Sequence, residues 1–226
     1  MTESLRLDLH VHSRHSPDSR LEVRRIVETL GERGLQGFAL TDHNSVAGHA
    51  ELAQLQRDHP RLFLVPGVEI STREGHLLAY GISEAPEPQR PIREVVEWVR
   101  ARGGVPVPAH PSRWFHGIGR RLAQELPVPA LETLNGHTAE VGNARTELIA
   151  AKRGIGSTGG SDVHDLSDLG RCFTEFREDL TGVGEILDAL RAGHCRSGGR
   201  SMNPRERVQL ALHHLTGRVG RGLRPI

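Results

Sequence analysis

Residues 5–19 read LRLDLHVHSRHSPDS, a run in which apolar residues alternate with Asp8, His10 and His12. Alternation with a period of two predicts a β-strand, in which residues two apart face the same side. His10 and His12 are therefore predicted to point the same way. Two imidazoles and a carboxylate on an otherwise apolar strand need polar partners, and these must come from elsewhere in the chain.

The rest of the chain alternates strand-like and helix-like runs. The run EVRRIVETLGERG at 22–34 has helical spacing and ends on glycine, and GFALT at 37–41 follows as a short strand. About seven such steps follow one another without a break that suggests a domain boundary. This alternation is typical of an α/β fold, either an open parallel sheet or a closed barrel. In both, functional residues gather at the carboxyl ends of the strands.

Composition limits the classes of function. The chain has 226 residues, 14 histidines and a formal net charge of +1. This near-neutral balance argues against a general polyanion binder, so any contact with nucleic acid must be local. Only two cysteines are present, Cys172 and Cys195. They are too few for a disulfide framework and agree with a reducing, intracellular setting.

The ends of the chain give two further expectations. The N-terminus lacks a basic segment followed by an apolar core, and no apolar run approaches the roughly 20 residues of a membrane helix, so we expect a cytoplasmic protein. We divide the chain into one folded domain over residues 1–195 and a basic C-terminal tail over residues 196–226. The tail is predicted to form a helix packed on the domain, with phosphate steering or a subunit contact as alternatives.

Histidines and carboxylates fall at the predicted strand ends. These residues are His10, His12, Asp42, His43, Glu69, His76, His110, Asp162 and His164. Histidines with independent structural roles would scatter over helices and loops instead. Imidazole and carboxylate together suit zinc, manganese or iron, and the set is too large for one tetrahedral ion. The sequence therefore predicts a cluster of two or three divalent ions at one rim of the fold.

The order of the motifs resembles a known family. DLHVHSRHSPDS, TDHN, GVEIS, HLLAYGI, AHPSR, ETLNG and GGSDVH follow one another between Leu5 and Phe176. They are similar to the successive motifs of the polymerase and histidinol phosphatase (PHP) superfamily. The resemblance implies a distorted (β/α)7 barrel with a trinuclear metal site at the carboxyl ends of its strands.

The resemblance also implies which residues hold each ion. The first ion would be held by His10, His12, Glu69 and Asp162, the second by Glu69, His76 and His110, and the third by Asp18, His43 and His164. Glu69 would bridge the first two ions. Asp18 competes with His15 for its position, and we favour Asp18 because a loop carboxylate reaches a hard ion easily. His15 is then counted among the predicted substrate-binding residues.

Phosphate ester hydrolysis is the predicted chemistry. Bound divalent ions lower the pKa of water toward 7 and neutralise charge on the leaving oxygen, so no serine or cysteine nucleophile is needed. Arg113 is predicted to bind a phosphate oxygen, and His137 lies beside a strand end where it could touch the substrate. Asp8 and Asp42 are counted with Arg113 as catalytic residues, because a carboxylate that accepts the other N–H of a ligand histidine fixes its tautomer.

The predicted substrate is a small phosphorylated compound, a nucleotide or a short oligonucleotide, and the predicted activity is that of a phosphatase or a phosphodiesterase. We expect no membrane association and no obligate protein partner. Two alternatives remain open. The chain could be a non-catalytic PHP module that binds a protein or nucleic acid, or the basic tail could dock an oligonucleotide for the enzyme.

Overall fold

The computed structural model describes residues 4–177, 179–203 and 206. Its strands are β1 (Leu5–Val11), β2 (Gly37–Leu40), β3 (Phe63–Ser71), β4 (His76–Tyr80), β5 (Val105–Pro108), β6 (Ala130–Asn135), β7 (Gly156–Gly160), β8 (Cys172–Phe176) and β9 (Arg196–Gly199). Its α-helices are α1 (Val23–Thr29), α2 (His49–Asp58), α3 (Ile92–Ala101), α4 (Gly119–Glu125), α5 (Glu140–Arg153) and α6 (Val183–Arg191).

Strands β1 to β7 follow one another around a distorted barrel, as the resemblance implied. One sheet has the order β5-β4-β3-β2-β1-β8-β9, and β6 pairs with β7 in a second sheet. The two sheets meet just beyond the ends of β7 and β1, where His12 N donates to Val163 O and Val163 N donates to His10 O, both at 3.1 Å. The fold is therefore α/β with a curled sheet.

The barrel is not wholly parallel. Strands β1, β2 and β3 are parallel, but β4 is antiparallel to both β3 and β5, and β8 is antiparallel to β1. The turn Thr72–Gly75 joins β3 directly to β4 without a helix. Because β4 runs in the opposite direction, its first residue, His76, lies at the rim where its neighbours end. This explains why His76 opens a strand whereas the other rim residues close theirs.

Strand β1 changes face along its length. Leu7 and Leu9 pack in one apolar cluster with Val65 and Leu78, whereas Val11 belongs to a different cluster beneath α1 and α2. A regular strand would keep residues 7, 9 and 11 on one face. The register between β1 and β2 shifts between Asp8 and Val11, as at a β-bulge. This irregularity brings His10 and His12 to the face that Leu7 and Leu9 occupy lower in the barrel.

Glycines in β7 permit its close approach to the neighbouring strands. A Cβ atom at Gly160 would lie 2.3 Å from the Cβ of His10, and one at Gly159 would lie 2.2 Å from the carbonyl oxygen of Phe173. Any side chain at these positions would push β7 away from β1 or β8. The run GSTGG, a poor strand former on propensity alone, is therefore held in place by tertiary packing.

Two elements were not predicted from the sequence. Helix α4 buries only Ala123, so it has no apolar residues at helical spacing by which it could be predicted. Strand β9 reads RSGG and lies within the predicted basic tail, where pairing with β8 defines it. The rest of that tail, apart from residues 200–203 and 206, lies outside the described residues, so its predicted helix stays a prediction. Within the described part of the chain, no helix combines the length and apolarity needed to cross a membrane.

Replacement of Phe38 by alanine should destabilise the protein strongly. The Phe38 ring in β2 is fully buried in the cluster beneath α1 and α2. Phe38→Ala is expected to lower the free energy of unfolding by about 3–5 kcal/mol, because it loses buried apolar area and leaves a cavity. Phe115→Ala is the matched control, since that ring is 71% exposed. Equal midpoints for the two variants in urea unfolding would contradict the assigned core.

Candidate metal centre

The carboxylate of Glu69 lies at the centre of a cluster of imidazoles. Its Oε1 atom is 2.7 Å from His76 Nδ1 and 3.1 Å from His110 Nε2. Its Oε2 atom is 3.0 Å from His10 Nε2 and 3.1 Å from His12 Nε2. Glu69 is 1% exposed at the end of β3. The two oxygens thus face two different pairs of rings, which is the arrangement expected of a bridging ligand.

Asp162 completes the group around His10 and His12. Its Oδ1 atom is 3.7 Å from His10 Nε2 and 3.5 Å from His12 Nε2. One donor atom from each of His10, His12, Glu69 and Asp162 can be chosen so that all four lie within 4.8 Å of one another. The structure therefore brings together the four residues that the resemblance assigned to the first ion.

Two more groups of donor atoms satisfy the same distance limit. One contains His12, Asp18 and His164, and the other contains His43, Glu69 and His76. The predicted sets differ slightly, since they placed His43 with Asp18 and His110 with Glu69. Both pairs are also close, with 3.5 Å from His43 Nε2 to Asp18 Oδ2 and 3.1 Å from His110 Nε2 to Glu69 Oε1. How the ligands divide among ions stays a prediction.

The structure brings Asp18 to the cluster and leaves His15 outside it. Asp18 Oδ2 is 2.5 Å from His164 Nε2, and Asp18 Oδ1 accepts a 2.6 Å hydrogen bond from Ser16. The His15 ring faces helix α2, where its Nε2 atom is 3.7 Å from Glu51 Oε2. The sequence favoured Asp18 on chemical grounds alone, because both residues follow His12 in the same loop and carry no local signal of where each side chain points.

Asp8 and Asp42 bind backbone and hydroxyl groups near the ligands. Asp42 accepts hydrogen bonds of 2.6 and 2.8 Å from the backbone N–H and the hydroxyl of Ser13. Asp8 accepts from the N–H groups of Ser161 and Gly170 at 2.9 and 3.0 Å. Burial raises the pKa of Asp8 to about 6 despite these hydrogen bonds. Both carboxylates therefore hold the loops next to predicted ligands, through hydrogen bonds from backbone N–H groups and a serine hydroxyl rather than from an imidazole ring.

Comparison with known proteins agrees with this geometry. The PHP-domain family model matches residues 8–100, and the PHP-associated family model matches residues 140–195, which together make up more than half of the chain. The chain belongs to the PHP superfamily. An uncharacterized protein of Methanocaldococcus jannaschii is 29% identical over 144 residues, which cover 59% of this chain and 83% of the relative.

Solved structures share the PHP fold. A protein of Bifidobacterium adolescentis, assigned as a metal-dependent phosphoesterase, has a TM-score of 0.64 at 18% identity. The match covers 83% of this chain and 96% of the Bifidobacterium chain. The lesion-specific endonuclease Q of Pyrococcus furiosus has a TM-score of 0.65 at 18% identity, with 90% of this chain and 60% of the endonuclease covered. At these identities the likeness shows the fold alone.

The charges of this PHP centre favour a cation between the carboxylates. Burial alone would lower the pKa of His12, but the neighbouring carboxylates of Asp162 and Glu69 outweigh this and raise that pKa to about 10. Burial would raise the pKa of Glu69, but the surrounding rings of His43, His10 and His76 hold it well below its usual value. The carboxylates thus stabilise positive charge at a site whose side chains are largely buried.

The donor atoms fit divalent ions. His12 Nε2 and His43 Nδ1 are buried and make no hydrogen bond, although each lies close to a Glu69 oxygen. A buried imidazole nitrogen that neither forms a hydrogen bond nor binds a metal ion lowers the stability of the folded protein. Buried imidazole nitrogens that converge with carboxylate oxygens are the donor set that zinc, manganese and iron accept. The residues of this rim therefore could hold divalent metal ions.

Sequence reasoning missed Glu132, which supports two of the imidazole residues. Glu132 Oε1 is 2.9 Å from His10 Nδ1, and Oε2 accepts from the backbone N–H of His110 at 2.7 Å and from Asn135 Nδ2 at 3.2 Å. Burial raises the pKa of Glu132. The motif ETLNG at the end of β6 was the available signal, but its partner His10 is 122 residues away in the chain.

Arg113 and His137 lie at the edge of the centre. Arg113 Nη1 donates to Asp162 Oδ2 at 2.8 Å, and its side chain is 34% exposed. The guanidinium therefore touches the cluster and also reaches solvent. The His137 ring is 5.9 Å from the His164 ring between centroids, and its Nε2 atom is 3.8 Å from Asp168 Oδ2. Both residues stay predicted substrate contacts.

The two cysteines should resist alkylation in the native protein. Burial raises the pKa of Cys195 to about 12, and burial also raises the pKa of Cys172. Only the thiolate reacts with iodoacetamide, so at pH 8 the native protein is expected to react at least about tenfold more slowly than the protein in urea. Mass spectrometry of time points measures both rates. Fast native modification of Cys172 would contradict its packed position.

Proposed function

We propose that the protein is a metal-dependent phosphoesterase that hydrolyses phosphate ester bonds of a phosphomonoester or a nucleotide. The observation that carries this proposal is the buried Glu69 carboxylate, whose two oxygens lie within 3.1 Å of four imidazole nitrogens at one rim of the barrel. Divalent ions held there would supply an acidified water and neutralise the negative charge that otherwise prevents attack on a phosphate. The metal ions are proposed to be two or three in number and to be zinc, manganese or iron.

The chain's own residues would orient the phosphate. Arg113 is fixed by its ion pair with Asp162, so its remaining N–H donors are presented beside the centre without the loss of entropy that a free side chain would suffer. A planar guanidinium can donate two parallel hydrogen bonds to phosphate oxygens. Arg113 is therefore proposed to bind a non-bridging oxygen of the substrate.

Ligand positions are also fixed before the substrate arrives. Asp42 holds the loop after His12 through Ser13, and Asp8 holds the turn before Asp162 through Ser161. Glu132 fixes the tautomer of His10, because its oxygen accepts the Nδ1 proton and leaves Nε2 free to bind a cation. We propose a structural role for Asp8 and Asp42 and a positioning role for Glu132.

Four kinds of substrate test the proposal. Purified protein loaded with Mn²⁺ or Zn²⁺ should hydrolyse at least one of an aryl phosphate, an aryl phosphodiester, a mononucleotide and a short oligonucleotide. Chelation should abolish the activity, and return of the metal should restore it. Metal-loaded protein that is folded yet inactive on all four would contradict the phosphoesterase proposal and favour a non-catalytic PHP module.

A further inference from the structure

Two aromatic side chains lie exposed beside the metal centre. Trp114 is 90% exposed and Phe115 is 71% exposed, in the segment between β5 and α4. The sequence has eight aromatic residues of this kind, and in the described structure the other six are buried or half-buried. The fold therefore gains nothing visible from these two rings, although exposed aromatic surface is costly.

The segment that carries the two rings is attached to the centre on both sides. Arg113, directly before Trp114, donates to Asp162. His116, directly after Phe115, stacks its ring on that of His76 with 4.7 Å between centroids, and its carbonyl accepts from the His76 N–H at 2.9 Å. The two rings are thus placed between contacts with opposite parts of the cluster.

Close backbone packing holds this segment in one position. A Cβ atom at Gly117 would lie 2.4 Å from the carbonyl oxygen of Arg113, and one at Gly75 would lie 2.6 Å from that of His116. His116 also has a left-handed backbone with φ of 63°, which is unusual for a residue other than glycine. A conformation of this kind persists only where the surroundings determine it. The aromatic pair is therefore presented by a defined loop.

The segment that carries the pair is basic in sequence. Residues 111–124 include Arg113, Arg120 and Arg121 and contain no acidic residue. Two of these arginines form ion pairs, Arg113 with Asp162 and Arg121 with Glu125. A guanidinium has more N–H donors than one such pair uses, so these side chains can also bind a phosphate backbone. Basic side chains beside exposed aromatic rings are the combination that binds single-stranded nucleic acid.

We propose that Trp114 and Phe115 form a stacking surface for the bases of a single-stranded oligonucleotide whose phosphate lies at the Glu69 centre. The inference rests on the proposed phosphoesterase function and narrows its substrate to compounds that carry a nucleobase. Stacking on an aromatic ring tolerates any base because every base has a flat π-face. The enzyme would therefore select nucleotides over other phosphate esters and show little preference among base sequences.

Tryptophan fluorescence tests the contact directly. The sequence contains only Trp98 and Trp114, so Trp98→Phe leaves Trp114 as the single reporter. Trp98 lies on α3, where the guanidinium carbon of Arg102 is 3.9 Å from the centroid of its ring. Trp98 is not one of the residues of the metal centre. The metal-loaded full chain is mixed with tetrathymidylate in a stopped-flow instrument, and the early signal reports binding before turnover. Quenching by tetrathymidylate is expected, whereas a tetranucleotide analogue without bases should produce at least about tenfold weaker binding.

Steady-state kinetics provide a second measurement. The preference for tetrathymidylate over the analogue without bases, taken as the ratio of kcat/KM values, should fall about 10- to 100-fold in the double variant Trp114→Ala/Phe115→Ala. Most of the loss is expected in KM. Val141→Ala/Leu148→Ala is the matched control, since these apolar side chains on α5 are 68% and 62% exposed. This control should keep the parent ratio.

The outcomes separate this inference from the proposed function. Quenching that requires bases, in a protein that hydrolyses nothing, would support the stacking surface and contradict the phosphoesterase. Turnover with an unchanged base preference in the double variant would overturn the stacking surface and leave the phosphoesterase intact. Equal quenching by the analogue without bases would also overturn it. So would a response to anionic phosphatidylglycerol vesicles with none to tetrathymidylate, because the surface would then bind lipid.

Discussion

Glu69→Gln is expected to remove bound metal and to lower turnover by at least about 1000-fold, equivalent to about 4 kcal/mol of transition-state stabilisation. The Glu69 carboxylate belongs to two of the three donor groups, and each of its oxygens faces a different pair of imidazoles. Glutamine keeps the volume of the side chain but removes its negative charge and replaces one carboxylate oxygen by an NH₂ group that cannot bind a cation. One substitution should therefore weaken two metal positions.

Metal content and thermal stability measure this effect independently of activity. Plasma mass spectrometry of the purified variant should show less metal than the parent protein. In the parent, added Mn²⁺ or Zn²⁺ should raise Tm, because an ion that binds only the folded state stabilises it, and this shift should shrink in Glu69→Gln. Glu97→Gln on the exposed face of α3 is the matched control, since Glu97 forms its ion pair with Arg100 on the same helix. Full metal content and activity in Glu69→Gln would show that the ligand set is wrong.

Glu132→Gln is expected to weaken metal binding about 10- to 100-fold and to leave turnover largely recoverable at high metal concentration. Both Glu132 oxygens accept hydrogen bonds, one from His10 and the other from the His110 backbone and Asn135. A glutamine amide offers one acceptor and places an N–H₂ group against the remaining N–H donor. At least one of the two imidazole residues therefore loses its support.

Metal titration of turnover distinguishes positioning from direct participation. The variant should require more Mn²⁺ for half-maximal activity, with kcat at saturation within about tenfold of the parent value. Glu132→Ala, which removes both acceptors, should need still more metal. Loss of kcat that no metal concentration restores would contradict a positioning role. Unchanged metal dependence in both variants would show that Glu132 does not support the ligands.

Much of the centre could be predicted from the sequence because the ligands follow the strands. His10 and His12 are two residues apart, and Asp162 follows a glycine-rich strand, so strand periodicity and the position of strand ends predicted that they lie together. The shift in register that turns His10 and His12 toward the interior was not predicted. Glu69 was predicted as a bridge through the resemblance; it lies at the centre of the cluster, and its bridging role stays a prediction. The fold class followed from the alternation of strands and helices, since each step leaves its own local signal.

The remainder depended on contacts between distant parts of the chain. Asp18 and His15 lie in the same loop, and only the folded loop shows which side chain reaches the cluster. The sequence has no local signal for the approach of Asp18 to His164, 146 residues later. The supporting role of Glu132 is visible only from its contact with His10, and strand β9 is visible only from its pairing with β8. Trp114 and Phe115 carry no periodic pattern because they lie in a loop. Their exposure is visible only once the barrel is folded.

The irregularity in β1 separates the residues that pack the interior from the residues that face the metal centre. Below it, Leu7 and Leu9 fill the apolar interior, and above it His10 and His12 occupy the same interior face at the rim. Substitutions among the apolar residues can then alter packing without moving the donors, because the shift in register lies between the two layers. Insertion or deletion of one residue there would instead turn His10 and His12 outward and bring their neighbours in the sequence to the interior face. The length of this short strand is therefore expected to tolerate less variation than its composition.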